Sequence, residues 1–280
     1  MLRLLVTLSF ALFQLTLCQA QKQLTILHTN DTHSCILPLN PNLADTTLAG
    51  RGGFLRRIAL LQEERQKDPE LLYFDSGDFS QGSSYYTMFE GDVEIGLMNE
   101  MGIDASTIGN HEFDFGLENM ERFFRKANFP IVCSNYDFAD TELKDIVKPF
   151  VIIKRKGVKI GVFALCPPLE GLVSAKNYGP LRFLDPVETT RKMVSLLKGR
   201  KKCDLVVCIS HLGWKTTEYP DQRFIGQTSG VDLVLGGHSH TYFEKLEYVA
   251  NKDGLLVPVD QNGKHGAFIG KLLLNLDKRK

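Results

Sequence analysis

The chain has 280 residues, of which 43% are hydrophobic and 24% are charged, with equal numbers of basic and acidic side chains. This composition is typical of a globular protein with one large core, and it excludes the disordered and fibrous classes. The balanced charge provides no basic surface for non-specific binding to a polyanion, so we expect no nucleic-acid partner.

The first twenty residues have the pattern of a secretory signal peptide. Arg3 precedes an apolar run over residues 4–17, and Ala20 is a small residue that a signal peptidase accepts. A buried N-terminal helix is the alternative, and acylation of Cys18 fits poorly because Leu17, directly before it, is large. We therefore expect a signal peptide at residues 1–20, one domain at residues 21–280, no membrane span in the mature protein, and a periplasmic or secreted location.

The cysteines after the signal peptide do not form a recognisable framework. Five remain, an odd number without a Cys-x-x-Cys pair, namely Cys35, Cys133, Cys166, Cys203 and Cys208. This excludes a disulfide scaffold and a zinc ribbon. The last two flank an apolar run that would hold them too far apart for a disulfide in an extended chain.

Short apolar runs alternate with helical patterns along the chain, as βα units require. In chain order the sequence predicts a strand at 24–29, a helix at 54–66, a strand at 71–74, a helix at 93–101, a strand at 105–108, a helix at 117–127, strands at 150–153 and 160–164, a helix at 187–197, and strands at 205–209, 231–235, 255–259 and 271–276. This is too much strand for one flat sheet in a domain of this size. We expect an α/β fold with two packed sheets, helices outside them, and functional loops at 34–51 and 167–181.

A polar cluster follows each of five predicted strands. The clusters are DTH at 31–33, GD at 77–78, GNHEFD at 109–114, SH at 210–211 and GGHSH at 236–240, and they hold five of the seven histidines. Because the carboxyl ends of strands in open α/β sheets face a common crevice, we expect these clusters to converge on one site.

The residue types in the clusters indicate divalent metal ions. Asp, Asn and His without thiolates suit Mn, Fe, Co or Zn, and a pair of ions about 3.5–4 Å apart is the usual arrangement for hydrolysing phosphate esters. Asp31 and His33 are two residues apart and share one side of an extended chain, as do His238 and His240. Asp78 has two oxygens with which to bridge two ions, and the glycines at 77, 109, 236 and 237 permit the backbone turns around them.

Each cluster taken alone also has a structural interpretation. A single Asp-x-His is common in strand-end turns, His211 alone fits a core or capping histidine, and Gly-Asp or Gly-Gly alone indicates only a turn. All five together, each after a strand, favour metal binding. Outside the clusters, His28 and His265 are interpreted as structural, and Asp75 and Ser76 as turn residues rather than partners of the ligands.

The order of these motifs resembles that of the calcineurin-like metallophosphoesterases, specifically the N-terminal catalytic domain of 5'-nucleotidases and UDP-sugar hydrolases. The similarity runs from about residue 24 to residue 277 and includes GRGGFLRR at 50–57 and ANFPIVCSNYDF at 127–138. It implies a four-layer α/β/β/α sandwich of two mixed sheets, with a dinuclear site of Mn, Zn, Co or Fe at the strand C-terminal ends. One ion would be held by Asp31, His33, Asp78 and His240, and the other by Asp78, Asn110, His211 and His238.

In this family the His and Asp of the NHxxD element form a catalytic dyad, which implies the same role for His111 and Asp114. Two ions lower the pKa of a water that they share, and the resulting hydroxide attacks phosphorus. A histidine beside the site is placed to protonate the leaving group, and a carboxylate one helical turn away holds it and raises its pKa. The alternative for Asp114 is a helix cap, and Glu112 is interpreted as a first-turn acid that points elsewhere.

The resemblance implies hydrolysis of phosphate monoesters, in particular 5'-nucleotides. The alternatives are a cyclic-nucleotide phosphodiesterase, a nucleotide-sugar hydrolase, or an exported metal-binding module without catalysis, although a decayed site is expected to have lost at least one ligand. In this family a second domain binds the phosphate and stacks on the base, and it would begin near Lys280. We therefore expect weak substrate discrimination by this chain and a separate partner that resembles the second domain. Trp214 and the Tyr85-Tyr86 loop are candidates for base stacking and for the partner contact.

Overall fold

The computed structural model describes residues 22–276. The predicted signal peptide and Cys18 lie outside the described residues. The strands are β1 (Lys22–Thr29), β2 (Leu72–Asp75), β3 (Ala105–Ser106), β4 (Tyr136–Asp137), β5 (Phe150–Arg155), β6 (Val158–Leu165), β7 (Arg182–Phe183), β8 (Leu205–Ser210), β9 (Leu233–Leu235), β10 (Glu247–Ala250), β11 (Leu256–Asp260) and β12 (Gly270–Leu276). The helices are α1 (Phe54–Lys67), α2 (Ser84–Phe89), α3 (Asp92–Met101), α4 (Gly116–Phe124), α5 (Ala175–Tyr178), α6 (Pro186–Val194) and α7 (Asp221–Gln227).

The strands form two mixed sheets and one small pair. The first sheet has the order β12-β1-β2-β3, in which β1, β2 and β3 are parallel and β12 is antiparallel to β1. The second has the order β10-β11-β9-β8-β6-β5, with four parallel strands between two antiparallel edge strands. Strands β4 and β7 pair separately. Parallel strands bring their carboxyl ends to one edge, which is the arrangement that a shared site needs.

Three apolar clusters confirm the four-layer α/β/β/α arrangement. The cluster between the sheets takes alternate residues from facing strands, such as Leu24 and Phe74 from the first sheet and Val162 and Ile209 from the second. The other side of the first sheet packs on α1, α3 and α4, and the other side of the second packs on α6 and α7. Since successive strand residues point to opposite faces, strands covered on both sides are apolar throughout.

Local signals explain where several elements begin and end. Helix α6 begins at Pro186 because the Asp185 side chain accepts a hydrogen bond from the Glu188 N–H at 2.9 Å, while proline has no N–H to lose. Helix α3 ends at Met101 because Gly102, the residue that caps it, has a left-handed φ of 61°.

The predicted elements exist, but several bounds and connections differ. The strand predicted at 105–108 ends at Ser106, and the helix predicted at 187–197 continues past Val194 as a π-helical segment, Ser195–Arg200. Helices α2 and α7 and strand β10 were not predicted because runs of six, seven and four residues carry little periodicity. The predicted loop at 167–181 contains α5.

Other sequence-based expectations concern cysteines and membranes. All five cysteines in the described part of the chain are free, and Cys203 and Cys208 are both buried, as expected for a protein without a disulfide framework. Within residues 22–276, no helix has the length and apolar character needed to cross a bilayer.

Candidate metal centre

The five polar clusters meet at one end of the two sheets. Turns after β1, β2 and β3 carry the ligands from the first sheet, and the end of β8 and the turn after β9 carry those from the second. Contacts join the sheets there: the Ser76 hydroxyl donates to the Leu235 carbonyl at 2.9 Å. The convergence that the sequence predicts is therefore present.

Asp31, His33 and His240 form the first group of candidate ligands. One ligand atom from each lies within 4.8 Å of the others. His33 Nε2 and His240 Nε2 are 2.9 Å apart, and Asp31 Oδ1 is 3.4 Å from His240 Nε2. Two imidazole nitrogens and a carboxylate oxygen aimed at one point are the donors that a borderline divalent ion requires.

Asp78, His211 and His238 form the second group, with ligand atoms again within 4.8 Å of one another. Asp78 Oδ2 lies 3.1 Å from His211 Nε2. Asp78 also belongs to a group with His33 and His111, so its carboxylate faces both sides of the centre. A carboxylate in this position would be able to hold an ion together with ligands from either group.

Among the buried side-chain atoms without a hydrogen-bond partner in the described residues, two belong to predicted ligands and support the fit of metal ions. Asn110 Oδ1 has no partner, and His211 Nε2 has none despite its proximity to Asp78, because the geometry there is not that of a hydrogen bond. Buried polar atoms normally have partners, and a bound cation would supply one to both. The sequence-predicted ligand set therefore fits a metal centre: six of the seven residues lie in the two groups, and Asn110 directly precedes His111, whose N–H donates a hydrogen bond to Asp78.

Five of these seven ligands have a left-handed backbone. The φ angles are 50° at Asp31, 42° at His33, 53° at Asp78, 71° at His238 and 53° at His240. Non-glycine residues adopt this region infrequently, and strained conformations of this kind concentrate at functional sites. The sequence contains no signal for this strain.

The glycines at the site mainly allow close approach, which corrects the expectation that all of them serve turns. A Cβ on Gly109 would lie 2.1 Å from Asp78 Oδ1, and one on Gly237 would lie 2.9 Å from His211 Nδ1. Of the glycines predicted to turn the chain, Gly77 has a left-handed φ, at 85°, whereas Gly109, Gly236 and Gly237 do not. A side chain at 109 or 237 would displace a ligand.

Backbone groups orient the ligands. His211 Nδ1 lies 2.6 Å from the Ser76 carbonyl, which can only accept, so Nδ1 carries the proton and Nε2 is left for a metal. The His238 N–H donates to both Asp31 oxygens, at 3.1 and 2.9 Å. Ser76 thus supports a ligand through its carbonyl, whereas the sequence suggested only a turn. Asp75, also assigned to a turn, is buried and accepts from the Thr29 hydroxyl at 2.7 Å.

Glu112 has a role that the sequence analysis missed. It is fully buried, and its carboxylate accepts backbone N–H bonds from Asp78 at 3.0 Å, Ser80 at 3.0 Å and Gly109 at 2.6 Å. Glu112 is a first-turn acid of the 3-10 helix His111–Phe113, as predicted, but it does not point elsewhere: it clamps the Asp78 turn to the Gly109 turn. Burial and the nearby Asp78 raise the pKa of this carboxyl to about 7.

His111 and Asp114 are paired at the open side of the centre. His111 Nδ1 lies 3.1 and 3.3 Å from the two Asp114 carboxylate oxygens, and each side chain is about one third exposed. Burial opposes protonation of His111, but the Asp114 contact and the charge of Asp78 outweigh it and raise the imidazole pKa. The pair has the geometry of a proton donor held by a carboxylate.

The electrostatics of three ligands, Asp78, His33 and His238, favour the forms that bind cations, whereas at His211 the charges of Asp78 and Asp31 outweigh burial and raise the imidazole pKa. Burial works against ionisation of Asp78, but the neighbouring His211 and His33 outweigh it, so the carboxyl pKa is lowered. Burial, reinforced by His211, lowers the pKa of His238 to about 4, and burial also lowers the pKa of His33. Ionised carboxylates and neutral imidazoles are the metal-binding states of these side chains.

The structure changes the assignment of two aromatic residues and one histidine. Trp214 is buried and packs on Phe243, with ring centroids 5.0 Å apart, and Tyr86 is buried, so neither is available for base stacking. Tyr85 is half-buried and lines a cavity beside His33. His265, assigned above to structure alone, lies with its ring 5.9 Å from that of His33, whereas His28 is a structural residue paired with Asp260 at 2.9 Å.

The chain matches the calcineurin-like phosphoesterase family over residues 24–242. It is 28% identical to the trifunctional nucleotide phosphoesterase protein YfkN of Bacillus subtilis, covering 91% of this chain and 18% of that protein. It is 31% identical to the snake venom 5'-nucleotidase of Gloydius brevicauda, covering 92% of this chain and 46% of the relative.

Among solved structures, the 5'-nucleotidase precursor from Thermus thermophilus superimposes with a TM-score of 0.82 at 31% identity, covering 91% of this chain and 52% of that one. The chain thus spans about half the length of several 5'-nucleotidase relatives. Given this similarity and the fold and ligand geometry described above, the chain belongs to the calcineurin-like phosphoesterases and is related to the 5'-nucleotidases.

Proposed function

We propose that this chain hydrolyses phosphate monoesters and that nucleoside 5'-monophosphates are its substrates. The observation that carries the proposal is the position of Asp78, which groups with His211 and His238 and also with His33 from the other set of ligands, and which lies beside the His111–Asp114 pair. The relatives named as nucleotidases and nucleotide phosphoesterases support the nucleotide class.

The donor set fits two divalent ions, of which Mn, Zn, Co and Fe suit Asp, Asn and His ligands. When bound, such ions supply charge neutralisation for the phosphoryl oxygens and activation of a water. Asp31, His33, Asp78 and His240 would hold one of them, and Asp78, Asn110, His211 and His238 the other.

His111 would assist the departure of the leaving group. With Nδ1 held by Asp114, Nε2 is the nitrogen left to donate a proton to the leaving oxygen. The backbone N–H of His111 donates to Asp78 Oδ1 at 2.9 Å, which fixes the ring's position relative to the centre. Asp114 is a positioning residue that also favours the protonated imidazole.

The test is a panel of phosphate esters assayed with added Mn, Co or Zn and again after chelation. Nucleoside monophosphates, a cyclic nucleotide and a nucleotide sugar separate the monoesterase from the cyclic-nucleotide phosphodiesterase and the nucleotide-sugar hydrolase. Hydrolysis of the monoesters that chelation abolishes supports the proposal. Metal binding without turnover of any ester would instead identify a non-catalytic module.

Two further proposals concern the environment of the site. His240 is 36% exposed and the His111–Asp114 pair is also open to solvent, so we propose that a separate protein resembling the rest of the longer relatives covers this face. Mixing such a protein with the chain should sharpen nucleotide preference. Export with cleavage after Ala20 remains a proposal from the sequence, which N-terminal sequencing of the mature protein tests.

A further inference from the structure

A cavity of about 340 Å³ opens directly beside the metal centre. The candidate ligand His33 forms part of its wall, together with His265, Tyr85, Pro38 and Leu39. This volume is at the lower end of the range for small-molecule sites, so it suits one compact organic group. A substrate whose phosphate lies at the metal centre can therefore extend into this cavity.

Two side chains of the cavity have polar groups without protein partners. Within residues 22–276, neither the Tyr85 hydroxyl nor the ring nitrogens of His265 form a hydrogen bond. The His265 backbone is nevertheless fixed, because its N–H donates to the Asp31 carbonyl at 2.7 Å and its φ is left-handed at 64°. His265 is partly exposed, so its imidazole, held in a left-handed position beside a candidate metal ligand, has ring nitrogens that are free to bond a group in the cavity.

The charge of the cavity wall agrees with an anionic substrate. No Asp, Glu, Lys or Arg lines this cavity in the described structure. A second cavity of about 420 Å³, between the 168–183 segment and the loop that follows β8, is also aromatic, but two carboxylates, Glu170 and Glu218, line it. Carboxylates repel a phosphate ester, so the first cavity is the better place for the rest of the substrate.

We propose that the cavity beside His33 binds the organic part of the substrate, with the nucleobase stacked on Tyr85 and hydrogen-bonded by His265. This inference rests on the proposed nucleotide substrate. It makes Tyr85 and His265 specificity-determining residues within this chain, in addition to any contacts that a covering protein supplies. Apolar contact with Pro38 and Leu39 completes the binding of a flat, heteroaromatic group.

Binding of adenosine, which has no phosphate, tests the cavity separately from catalysis. Isothermal titration of the metal-loaded full chain with adenosine should give a Kd that rises about 5- to 150-fold in Tyr85→Ala, the usual range for loss of one aromatic stacking partner. Tyr85→Phe should retain most of the affinity because stacking does not need the hydroxyl. Tyr219→Ala, in the second cavity, is the matched control and should bind adenosine as the wild type does.

Kinetics provide the second measurement. In Tyr85→Ala the ratio of kcat/KM for AMP to that for glycerol phosphate should fall by a similar factor, because the smaller ester has no base to stack. His265→Ala should also weaken adenosine binding, and His265→Asn should restore part of it, since Asn tolerates a left-handed backbone and keeps a polar group.

The outcomes separate this inference from the proposed function. Unchanged adenosine binding in Tyr85→Ala, or an equal loss in Tyr219→Ala, would overturn the cavity assignment even if AMP is hydrolysed. Failure of the wild type to hydrolyse either ester would instead overturn the proposed function, and the adenosine titration would still decide whether the cavity binds a nucleoside.

Discussion

The core between the two sheets and the metal centre at their ends accommodate buried groups in opposite ways. In the core, alternate apolar residues such as Phe74 and Ile209 are fully buried in regular strands. At the centre, polar residues are buried to the same extent, as at Asp31 and His211, and five ligands have a left-handed backbone. The same chain therefore gains stability from apolar packing in one region and holds strained, partly unpaired polar groups in the other.

This difference indicates that contacts with surrounding residues, rather than the intrinsic backbone preferences of the ligand residues, hold the metal centre in its conformation. Glu112 and the Ser76 carbonyl fix the turns and the ligand rings, while the packed strands fix the ends from which those turns start. A site assembled in this way is preformed for a cation at a cost in stability without one. Substitutions in the two regions should therefore have separable effects.

The largest effect is expected for Asp78→Asn, because this one side chain lies within ligand distance of His33 from the first group as well as of His211 and His238. Replacing the carboxylate removes a charge that two ions would share, so metal content and hydrolysis should both be lost while the fold persists. The matched core variant Leu72→Ala should do the reverse: it should lower the free energy of unfolding by about 2–5 kcal/mol while keeping the metals. Elemental analysis and chemical denaturation measure both.

A different result would change the bridging assignment. If Asp78→Asn retained two ions and normal turnover, the carboxylate would not be shared between them. If Leu72→Ala lost its metals while still folded, the centre and the core would not be separable.

His111→Ala should keep the metals but lower kcat by on the order of 10²- to 10⁴-fold, the usual contribution of a general acid. The loss should be smaller for nitrophenyl phosphate, since that leaving group has a low pKa and needs no proton. Steady-state kinetics with nitrophenyl and alkyl phosphates measure the dependence. An equal loss for both esters would mean that His111 binds phosphate instead.

The sequence predicted the core and the composition of the centre for different reasons. Short apolar runs identified the strands that contain residues such as Leu24 and Val207, because strands covered on both faces are apolar throughout. The ligands were found because strand ends converge and because their motifs match a family. Neither signal reports backbone angles, so the strain at His33 or His238 was not predicted.

The missed contacts are those that join distant segments. The residues next to Glu112 indicate only an acid in the first turn of a helix. The fold brings the backbone N–H groups of Asp78 and Ser80, more than thirty residues earlier in the chain, to its carboxylate. In the same way, His265 lies in a turn far along the chain from His33, and nothing in its neighbouring residues indicates the proximity of the two rings. Pairings of this kind require the three-dimensional structure.

Glu112→Gln should lower the free energy of unfolding by about 1–3 kcal/mol, because the amide NH₂ would face backbone donors that the carboxylate now accepts. Since these donors belong to the Asp78 and Gly109 turns, metal affinity should fall as well. The matched control is Glu118→Gln on the exposed side of α4, which should change stability by less than about 0.5 kcal/mol. Similar losses in both variants would argue that Glu112 does not clamp the turns.

The smallest expected effect comes from the left-handed backbone of the ligands. It is measured by comparing the stability of glycine and alanine variants at two positions. His240 has a φ of 53°, in the left-handed region that glycine adopts freely and alanine does not. In the presence of a chelator, the His240→Gly variant should therefore be more stable to unfolding than His240→Ala by about 1 kcal/mol. At Gln62, exposed within α1, the order should reverse, with the alanine variant more stable by about 1 kcal/mol because glycine is unfavourable in a helix. Urea denaturation of the four metal-free variants gives both differences. If alanine were the more stable residue at both positions, the left-handed backbone at the centre would not persist without its ligands, and the strain would arise only on metal binding.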